Sequence, residues 1–228
     1  MSSKRRTSPS PTVVFDYGGV LSAGHDPIDD LHDVLGGDRD ALERAVWEHR
    51  LGHDSGELDV PAYWGRIAAD LGIEDFTDSA AEELQDLDNR YFLRMDPAAR
   101  ALIHDLARNR VRLALLSNAS VSFGQAVRRA DWFEAFSFAV ISAEEHVVKP
   151  DREIYDILLD ALAHETGGVS VPKAVVFFDD REANVEAART LGIDAHLWPR
   201  NGDDHGDGAR HGADIAREIL TARGIPLD

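Results

Sequence analysis

Residues 12–21, Thr-Val-Val-Phe-Asp-Tyr-Gly-Gly-Val-Leu, decide the fold predicted for this chain. Four apolar or β-branched residues run without alternation into Asp16, and two glycines follow within three positions. A short apolar run of this kind is typical of a strand buried on both faces of a parallel sheet. Asp16 would then stand at the carboxyl end of the strand, where open parallel sheets bind their ligands.

Further apolar runs, each followed by residues typical of turns, predict the rest of the sheet. They are Val111–Leu116, Phe138–Ile141, Ala174–Phe178 and a weaker run, Ala195–Trp198. Segments with helical spacing of their apolar residues lie between or beside them: Pro97–Asn109, Arg152–His164 and Ala183–Leu191. This alternation predicts an α/β fold with a Rossmann-like parallel sheet.

The interval after the first strand breaks this alternation. About 95 residues separate Phe15 from Val111, far more than one crossover helix needs. Helical spacing continues through Pro27–Leu35, Asp38–Arg50, Val60–Leu71 and Thr77–Leu93, which predicts a four-helix insert. The predicted divisions are a flexible tail at 1–11, a core at 12–22 and 95–200, the insert at 23–94, and a polar loop with a C-terminal helix at 201–228.

The composition of the 228 residues excludes several classes of function. Forty-two Asp and Glu against 24 Lys and Arg give a formal charge of −18, so neither nucleic acid nor an anionic membrane is an expected partner. The chain has no cysteine, which removes disulfides, thiolate metal sites and cysteine nucleophiles. No apolar run approaches the ~18 residues of a membrane span, and the basic N-terminus lacks a signal-peptide core, so a cytoplasmic location is expected.

Polar side chains follow the predicted strands at their carboxyl ends. They are Asp16, the pair Ser117 and Asn118, Lys149, the pair Asp179 and Asp180, and Asn184 one turn further on. Clustered carboxylates are costly unless a cation lies between them, and an all-oxygen site suits Mg²⁺, which also binds phosphate oxygens. Lysine and the amides at a helix start bind phosphate. The sequence therefore predicts a site for Mg²⁺ and a phosphoryl group.

Four blocks in this order resemble the motifs of the haloacid dehalogenase (HAD) superfamily of hydrolases, and the resemblance covers residues 12–200. The blocks are Val13–Leu21, Leu115–Asn118, Val148–Pro150, and Phe177–Asp180 continuing through Asn184 to Gly192. The resemblance is to the phosphatase branch with a helical cap, subfamily IA. It implies a HAD core, with the insert acting as a cap that closes over the site and selects substrates.

The resemblance also implies a role for each residue. Asp16 would be the nucleophile, forming an aspartyl-phosphate that water then hydrolyses. Mg²⁺ would be held by the Asp16 carboxylate, the Gly18 carbonyl and Asp180. The remaining roles are phosphoryl binding by Ser117 and Asn118, charge compensation by Lys149, direct or water-mediated metal binding by Asp179, and structural support from Asn184.

One position departs from the family's usual phosphatase pattern. A second aspartate two residues after the nucleophile serves there as general acid and base, and this chain has Gly18 instead. Such a group is typically worth about 10²–10⁴-fold in rate. Either the leaving group needs little protonation, or another side chain substitutes, or the enzyme is slow. Candidates to substitute or to contact the substrate are Tyr17, His25, and Arg50 and His53 in a predicted glycine-rich loop of the insert.

Three functions are compatible with these residues. The leading one is a Mg²⁺-dependent phosphatase acting on a small phosphorylated metabolite. A metal-independent 2-haloacid dehalogenase also lacks the second aspartate, but paired carboxylates beside Asp16 would then repel each other without compensation. A catalytically weak or non-enzymatic module is supported by Gly18 alone. The sequence does not choose between a monomer and a homodimer.

Overall fold

The computed structural model describes residues 11–23, 26–166, 168, 171–199 and 210–227. Within them, five strands form one parallel sheet in the order β3-β2-β1-β4-β5. The strands are β1 Thr12–Phe15, β2 Arg112–Ser117, β3 Phe138–Ile141, β4 Val175–Asp179 and β5 Asp194–Leu197. The predicted α/β class with a parallel sheet is confirmed.

Ten α-helices belong to the described part of the chain. In order they are α1 Ile28–Leu35, α2 Arg39–Asp54, α3 Val60–Asp70, α4 Asp78–Phe92, α5 Pro97–Arg108, α6 Val121–Val127, α7 Ser142–Glu145, α8 Arg152–Thr166, α9 Glu182–Thr190 and α10 Gly212–Ala222. The two short helices α6 and α7 were not indicated by the apolar pattern, because neither is long enough to show a helical period. Most of the predicted tail and polar loop lies outside the described residues.

Both faces of the sheet are covered, which explains the non-alternating strand sequences. Phe15 of β1 faces an apolar cluster that includes Leu102 of α5 and Leu220 of α10. The adjacent Val14 faces the opposite cluster, which includes Leu158 of α8. Successive side chains of a strand point to opposite faces, so every position of β1 has to be apolar or compact.

The sheet register brings the ends of three strands together. Phe15 pairs with Leu115 of β2 and with Phe178 of β4, so the residues that follow β1 lie beside the ends of both neighbours. The Asp16 N–H continues the ladder by donating to the Phe178 carbonyl at 2.9 Å. Residues about 100 and 160 positions apart along the chain therefore meet at one edge.

Helices α1–α4 form a separate apolar cluster within the insert. Tyr63 and Trp64 of α3 are fully buried there, and the Trp64 indole N–H donates to Gln85 of α4 at 3.0 Å. The two connections to the rest of the chain run side by side, with Ser22 bridged to Met95. None of the described helices is long and apolar enough to cross a bilayer.

The end of α2 differs from the sequence prediction. The sequence predicts a helix that ends at Arg50 and a glycine-rich loop containing Arg50 and His53, whereas α2 runs through Gly52 and ends at Asp54. Gly52 is a packing residue, because a Cβ there would lie 2.9 Å from a methyl carbon of Leu58. The turn is made at Gly56, whose φ of +79° favours glycine.

We expect Trp64→Ala to lower the free energy of unfolding by about 3–5 kcal/mol, because it empties a fully buried indole site. Trp47→Ala on the same insert serves as the matched control, since that side chain is 42% exposed and its loss should cost less than about 1 kcal/mol. Urea unfolding followed by far-UV circular dichroism measures both. Equal midpoints for the two variants would contradict the assigned insert core.

Candidate active site

Three carboxylates and one ammonium meet at the carboxyl edge of the sheet. Asp16 follows β1, Asp179 ends β4 and Asp180 follows it; one carboxylate oxygen from each lies within 4.8 Å of the others. Lys149, from the loop between α7 and α8, points its Nζ into this group. The sequence analysis predicted these four residues as neighbours, and the structure brings them together.

The Lys149 ammonium is buried and uses its three N–H donors within the site. Nζ donates to Asp179 Oδ2 at 2.7 Å and to the Leu116 carbonyl at 2.9 Å, and it pairs with Asp16 Oδ1 at 2.8 Å. Burial by itself lowers the pKa of Lys149, but the two carboxylates outweigh it and the pKa is raised. Lys149 is therefore a fixed positive charge under the site.

Asp16 is nearly as buried as its lysine partner. Desolvation raises the pKa of its carboxyl, Lys149 opposes the rise, and the neighbouring Asp179 and Asp180 add to it. Its Oδ1 also accepts the Tyr17 N–H at 2.7 Å. One ammonium thus faces three carboxylates, and the site carries excess negative charge that a cation would offset.

The Asn118 side chain holds the lysine loop. Its Nδ2 donates to the Lys149 carbonyl at 2.9 Å, and the Lys149 N–H donates to Asn118 Oδ1 at 2.8 Å. Asn118 also lines the cavity described below, and its Nδ2 carries a second N–H, so the predicted contact with phosphoryl oxygens stays a prediction. Ser117, at the end of β2, is buried and is not among the residues lining the cavity described below.

Asp179 and Asp180 are distinguished by their surroundings. Asp179 is fully buried and accepts hydrogen bonds from Asn184 Nδ2 at 2.9 and 3.1 Å and from the Arg181 N–H at 2.9 Å, besides Lys149. Asp180 is partly exposed and lines the cavity. Asn184 thus holds the Asp179 carboxylate in place.

The glycine pair after Asp16 has two separate functions. Gly19 has a φ of +74°, and a Cβ there would lie 2.5 Å from Asp180 Oδ2, so its bare backbone makes room for that carboxylate. A Cβ at Gly18 would meet nothing within 4 Å. Gly18 is therefore an open position on the wall of the site.

A cavity of about 420 Å³ lies above these groups, between the sheet edge and the insert. From the sheet edge and its loops it is lined by Asp16, Gly18, Gly19, Asn118, Lys149, Asp180, Arg181 and Asn184. From the insert it is lined by Trp47, Arg50, Leu51 and Asp54 of α2 and Phe92 of α4. The insert thus supplies one wall of the candidate active site.

Arg50 is the insert residue at the centre of that wall. Its Nη1 donates to both carboxylate oxygens of Asp88 at 3.1 and 3.2 Å, and its Nε lies 3.4 Å from Asp54 Oδ1. The guanidinium carbon also lies 5.0 Å from the ring centre of Phe92 and 5.8 Å from that of Trp47. The predicted proximity of Arg50 to a substrate is compatible with this position, although it lies on α2 and not in a loop.

Other predicted candidates lie elsewhere. Tyr17 is buried in the core, where its ring stacks on that of Trp132 with ring centres 5.3 Å apart. Its large apolar ring is more stable there than at the polar edge of the sheet. His53 also lies within α2, buried inside the insert, with its ring nitrogens 3.0 Å from the Leu58 carbonyl and 2.9 Å from Gln85 Oε1. Neither can substitute for an acid at the site. His25 lies outside the described residues.

The structure adds cavity residues that the sequence reasoning missed. The principal ones are Asp54, Leu51, Phe92 and Arg181. The cavity residues on α2 are spaced i, i+3, i+4 and i+7, which places them on one helix face. They are Trp47, Arg50, Leu51 and Asp54. That signal could have been recognised only by extending the helix beyond Arg50.

Comparison with known proteins identifies the class and then the family. The fold is that of a parallel α/β protein with a carboxylate cluster at the end of its first strand. A family model described as haloacid dehalogenase-like hydrolase matches residues 11–192, and the chain belongs to this family. The predicted resemblance to the HAD superfamily is thereby confirmed, and the protein is a HAD-like hydrolase.

Two relatives are named as phosphatases. A "Phosphorylated carbohydrates phosphatase" of Thermotoga maritima is 29% identical over 128 residues, which span 54% of this chain and 56% of that protein. "Phosphatase MT3486" of Mycobacterium tuberculosis is 28% identical over 199 residues, 83% of this chain and 88% of that protein.

Solved structures share the fold at lower identity. A HAD family enzyme of Bacteroides thetaiotaomicron in complex with magnesium superposes with a TM-score of 0.62 and 21% identity, covering 86% of this chain and 96% of that one. The L-2-haloacid dehalogenase of Xanthobacter autotrophicus superposes with a TM-score of 0.64 and 21% identity, covering 93% and 83% of the two chains. An enzyme crystallised with magnesium and a 2-haloacid dehalogenase therefore share this fold.

The two glycines give a test of the site geometry that needs no substrate. Gly19→Ala should lower the free energy of unfolding by about 1–3 kcal/mol, because it combines a strained positive φ with a clash against Asp180. Gly18→Ala should change it by less than about 1 kcal/mol, since its Cβ would project into open space. The midpoints of urea unfolding measure both changes. Equal losses of stability for the two variants would contradict the close approach assigned to Gly19 and Asp180.

Proposed function

We propose that the protein is a Mg²⁺-dependent phosphatase that hydrolyses a small phosphorylated metabolite through an aspartyl-phosphate on Asp16. The observation that carries the proposal is the placement of Asp16 and Asp180 on one cavity, with the buried Lys149–Asp179 pair directly beneath. The names of the two phosphatase relatives support the choice of reaction.

The donor set fits Mg²⁺. Asp16 and Asp180 offer carboxylate oxygens toward the cavity, and Gly18, which lines the same cavity, would offer its backbone carbonyl. The Asp179 carboxylate is occupied by Lys149, Asn184 and a backbone N–H, so we assign it a supporting role rather than direct metal binding. When bound, Mg²⁺ would neutralise charge on the phosphoryl oxygens.

The protein's own groups position the nucleophile. Lys149 Nζ and the Tyr17 N–H both bind Asp16 Oδ1, which fixes the orientation of the carboxylate. Because both contacts go to Oδ1, we assign the attack on phosphorus to Oδ2. Lys149 is itself held through its backbone by Asn118, and its charge favours the ionised nucleophile and the anionic transition state.

The insert would act as the cap that selects the substrate. Trp47, Arg50 and Phe92 present two aromatic rings and a guanidinium to the cavity, a wall suited to a polar organic leaving group with flat or ring-shaped apolar faces. The Thermotoga relative's name, "Phosphorylated carbohydrates phosphatase", supports sugar phosphates as the first class to screen.

The reaction is tested with p-nitrophenyl phosphate and the purified protein. We expect hydrolysis with Mg²⁺, loss of turnover with EDTA, recovery when Mg²⁺ is added back, and no turnover above background in Asp16→Asn. EDTA-resistant release of chloride from 2-chloropropionate would instead identify a dehalogenase. No hydrolysis above the Asp16→Asn control would support a non-enzymatic module.

Lys149→Ala should reduce kcat/KM by at least about 10³-fold, because it removes the positive charge beside Asp16. Lys173→Ala is the matched control, since Lys173 is exposed and lies outside the cavity, and it should retain wild-type turnover. Circular dichroism confirms folding at the assay temperature, because the lysine variant also leaves buried carboxylates unpaired. Near-normal kcat/KM in folded Lys149→Ala would refute the assigned role.

A further inference from the structure

In the described part of the chain, the two positions directly after Asp16 supply no proton donor to the cavity of the proposed phosphatase. Gly18 has no side chain, and Tyr17 points into the core. The departure of an alkoxide from a phosphate ester needs a proton unless the leaving group is acidic. The opposite wall of the cavity, formed by the insert, contains an acidic group that the mechanism above does not use.

Asp54 at the end of α2 is that group. It lines the same cavity as Asp16 and Gly18, and its side chain is only 16% exposed. Its Oδ1 is buried and accepts no hydrogen bond from any residue of the described chain, although Arg50 Nε lies 3.4 Å away. Buried polar atoms in native proteins nearly always have a hydrogen-bond partner, so this oxygen is a position where a ligand or substrate group could bind.

The backbone of Asp54 is fixed to the core rather than only to the insert. The hydroxyl of Ser142, the first residue of α7, donates to the Asp54 carbonyl. Two residues further on, a Cβ at Gly56 would lie 2.5 Å from the Ala143 carbonyl oxygen, which shows how closely the α2 end approaches α7. The carboxyl is thus held at a defined place relative to the sheet edge.

The guanidinium of Arg50 faces two carboxylates, those of Asp88 and Asp54, and Asp54 is the more weakly paired of the two. Arg50 donates two hydrogen bonds to Asp88 of α4, which is also buried, and only approaches Asp54. Burial raises the pKa of Asp54 to about 7; Arg50 and Arg181 oppose the rise, and Asp88 adds to it. A carboxyl in this range can give up and regain a proton near neutral pH.

We infer that Asp54 supplies, from the insert, the general acid and base that Gly18 lacks; this inference rests on the proposed phosphatase function. As the bond from phosphorus to the ester oxygen breaks and the bond to Asp16 forms, the Asp54 carboxyl transfers its proton to the departing oxygen. Its carboxylate then takes a proton from water, whose oxygen bonds to phosphorus while the Asp16–phosphorus bond breaks. Asp54 ends protonated, and the products are the alcohol and inorganic phosphate.

The experiment compares Asp54→Asn with the wild type on two esters, p-nitrophenyl phosphate and an alkyl phosphate such as glucose 6-phosphate. Because kcat/KM reports the steps up to release of the leaving group, it isolates the acid step. We expect kcat/KM for the alkyl ester to fall by about 10²–10⁴-fold. The value for the aryl ester, whose leaving group is already acidic, should fall by less than about tenfold.

Glu57→Gln is the matched control. Glu57 is an exposed carboxylate three residues from Asp54 and does not line the cavity, so its variant should keep the wild-type ratio of alkyl to aryl kcat/KM. The double variant Asp54→Asn with Gly18→Asp is the rescue. Since a side chain at position 18 has open space, the new carboxyl should recover at least about tenfold of the lost alkyl activity.

The pH profile gives an independent readout. The charged groups that face Asp54 are Arg50 from its own helix, Asp88 from α4 and Arg181 from the loop after β4. Since the acid must be protonated, wild-type kcat/KM for the alkyl ester should fall as pH rises through about 7, and Asp54→Asn should lack this limb. Because the folded-state pKa is raised, ionising Asp54 destabilises the fold as pH rises, so the variant should melt no lower than the wild type at pH 8.

Two results have separate meanings. An unchanged ratio of alkyl to aryl kcat/KM in Asp54→Asn would overturn the assignment of Asp54 while leaving the phosphatase function standing. A wild-type protein that hydrolyses neither ester above its Asp16→Asn background would overturn the proposed function itself.

Discussion

The contact on which the site depends is the Lys149 ammonium between Asp16 and Asp179. A buried ammonium is stable only when charged partners and hydrogen-bond acceptors surround it, and here two carboxylates and the Leu116 carbonyl do so. These acceptors come from β1, β2 and β4, so the three-strand register has to form before the lysine is satisfied. In return, the lysine allows two buried carboxylates to lie side by side. The excess negative charge that remains, on the cavity side, is the physical basis for expecting a bound divalent cation.

Two close backbone approaches then set the dimensions of the cavity. At Gly19 the backbone leaves room for the Asp180 carboxylate, and at Gly56 the end of α2 comes against the Ala143 carbonyl. Both positions have positive φ, so a side chain would be strained there as well as crowded. The first approach places an acidic group on the cavity wall from the sheet side. The second places α2, with Arg50 and Asp54, on the opposite wall. The site is therefore defined jointly by the sheet and the insert.

The sheet side of the site could be predicted from the sequence, because one rule of topology places the carboxyl ends of parallel strands at a common edge. Asp16, Lys149 and Asp179 follow apolar runs, so their meeting needed no knowledge of packing. The insert side could not be predicted in this way, because helices carry no comparable rule for where their faces point. Gly52 was predicted to lie in a loop, but it lies within α2, where the absence of a side chain makes room for Leu58. Because the helix was predicted to end too early, its face that includes Asp54 was not recognised. The direction of Tyr17 was equally inaccessible, since it depends on an aromatic partner, Trp132, far along the chain.

An acid on the insert has different consequences from one at position 18. A side chain two residues after Asp16 would be fixed to β1 and present whenever the sheet is folded. Asp54 is in place only while α2 is held against the core, through the Ser142 hydroxyl and the close approach at Gly56. Protonation of the leaving group then requires the insert to be closed, whereas positioning of Asp16 by Lys149 does not. Such an arrangement makes the chemical step depend on the element that also contacts the leaving group, so substrate selection and proton transfer share one conformational requirement.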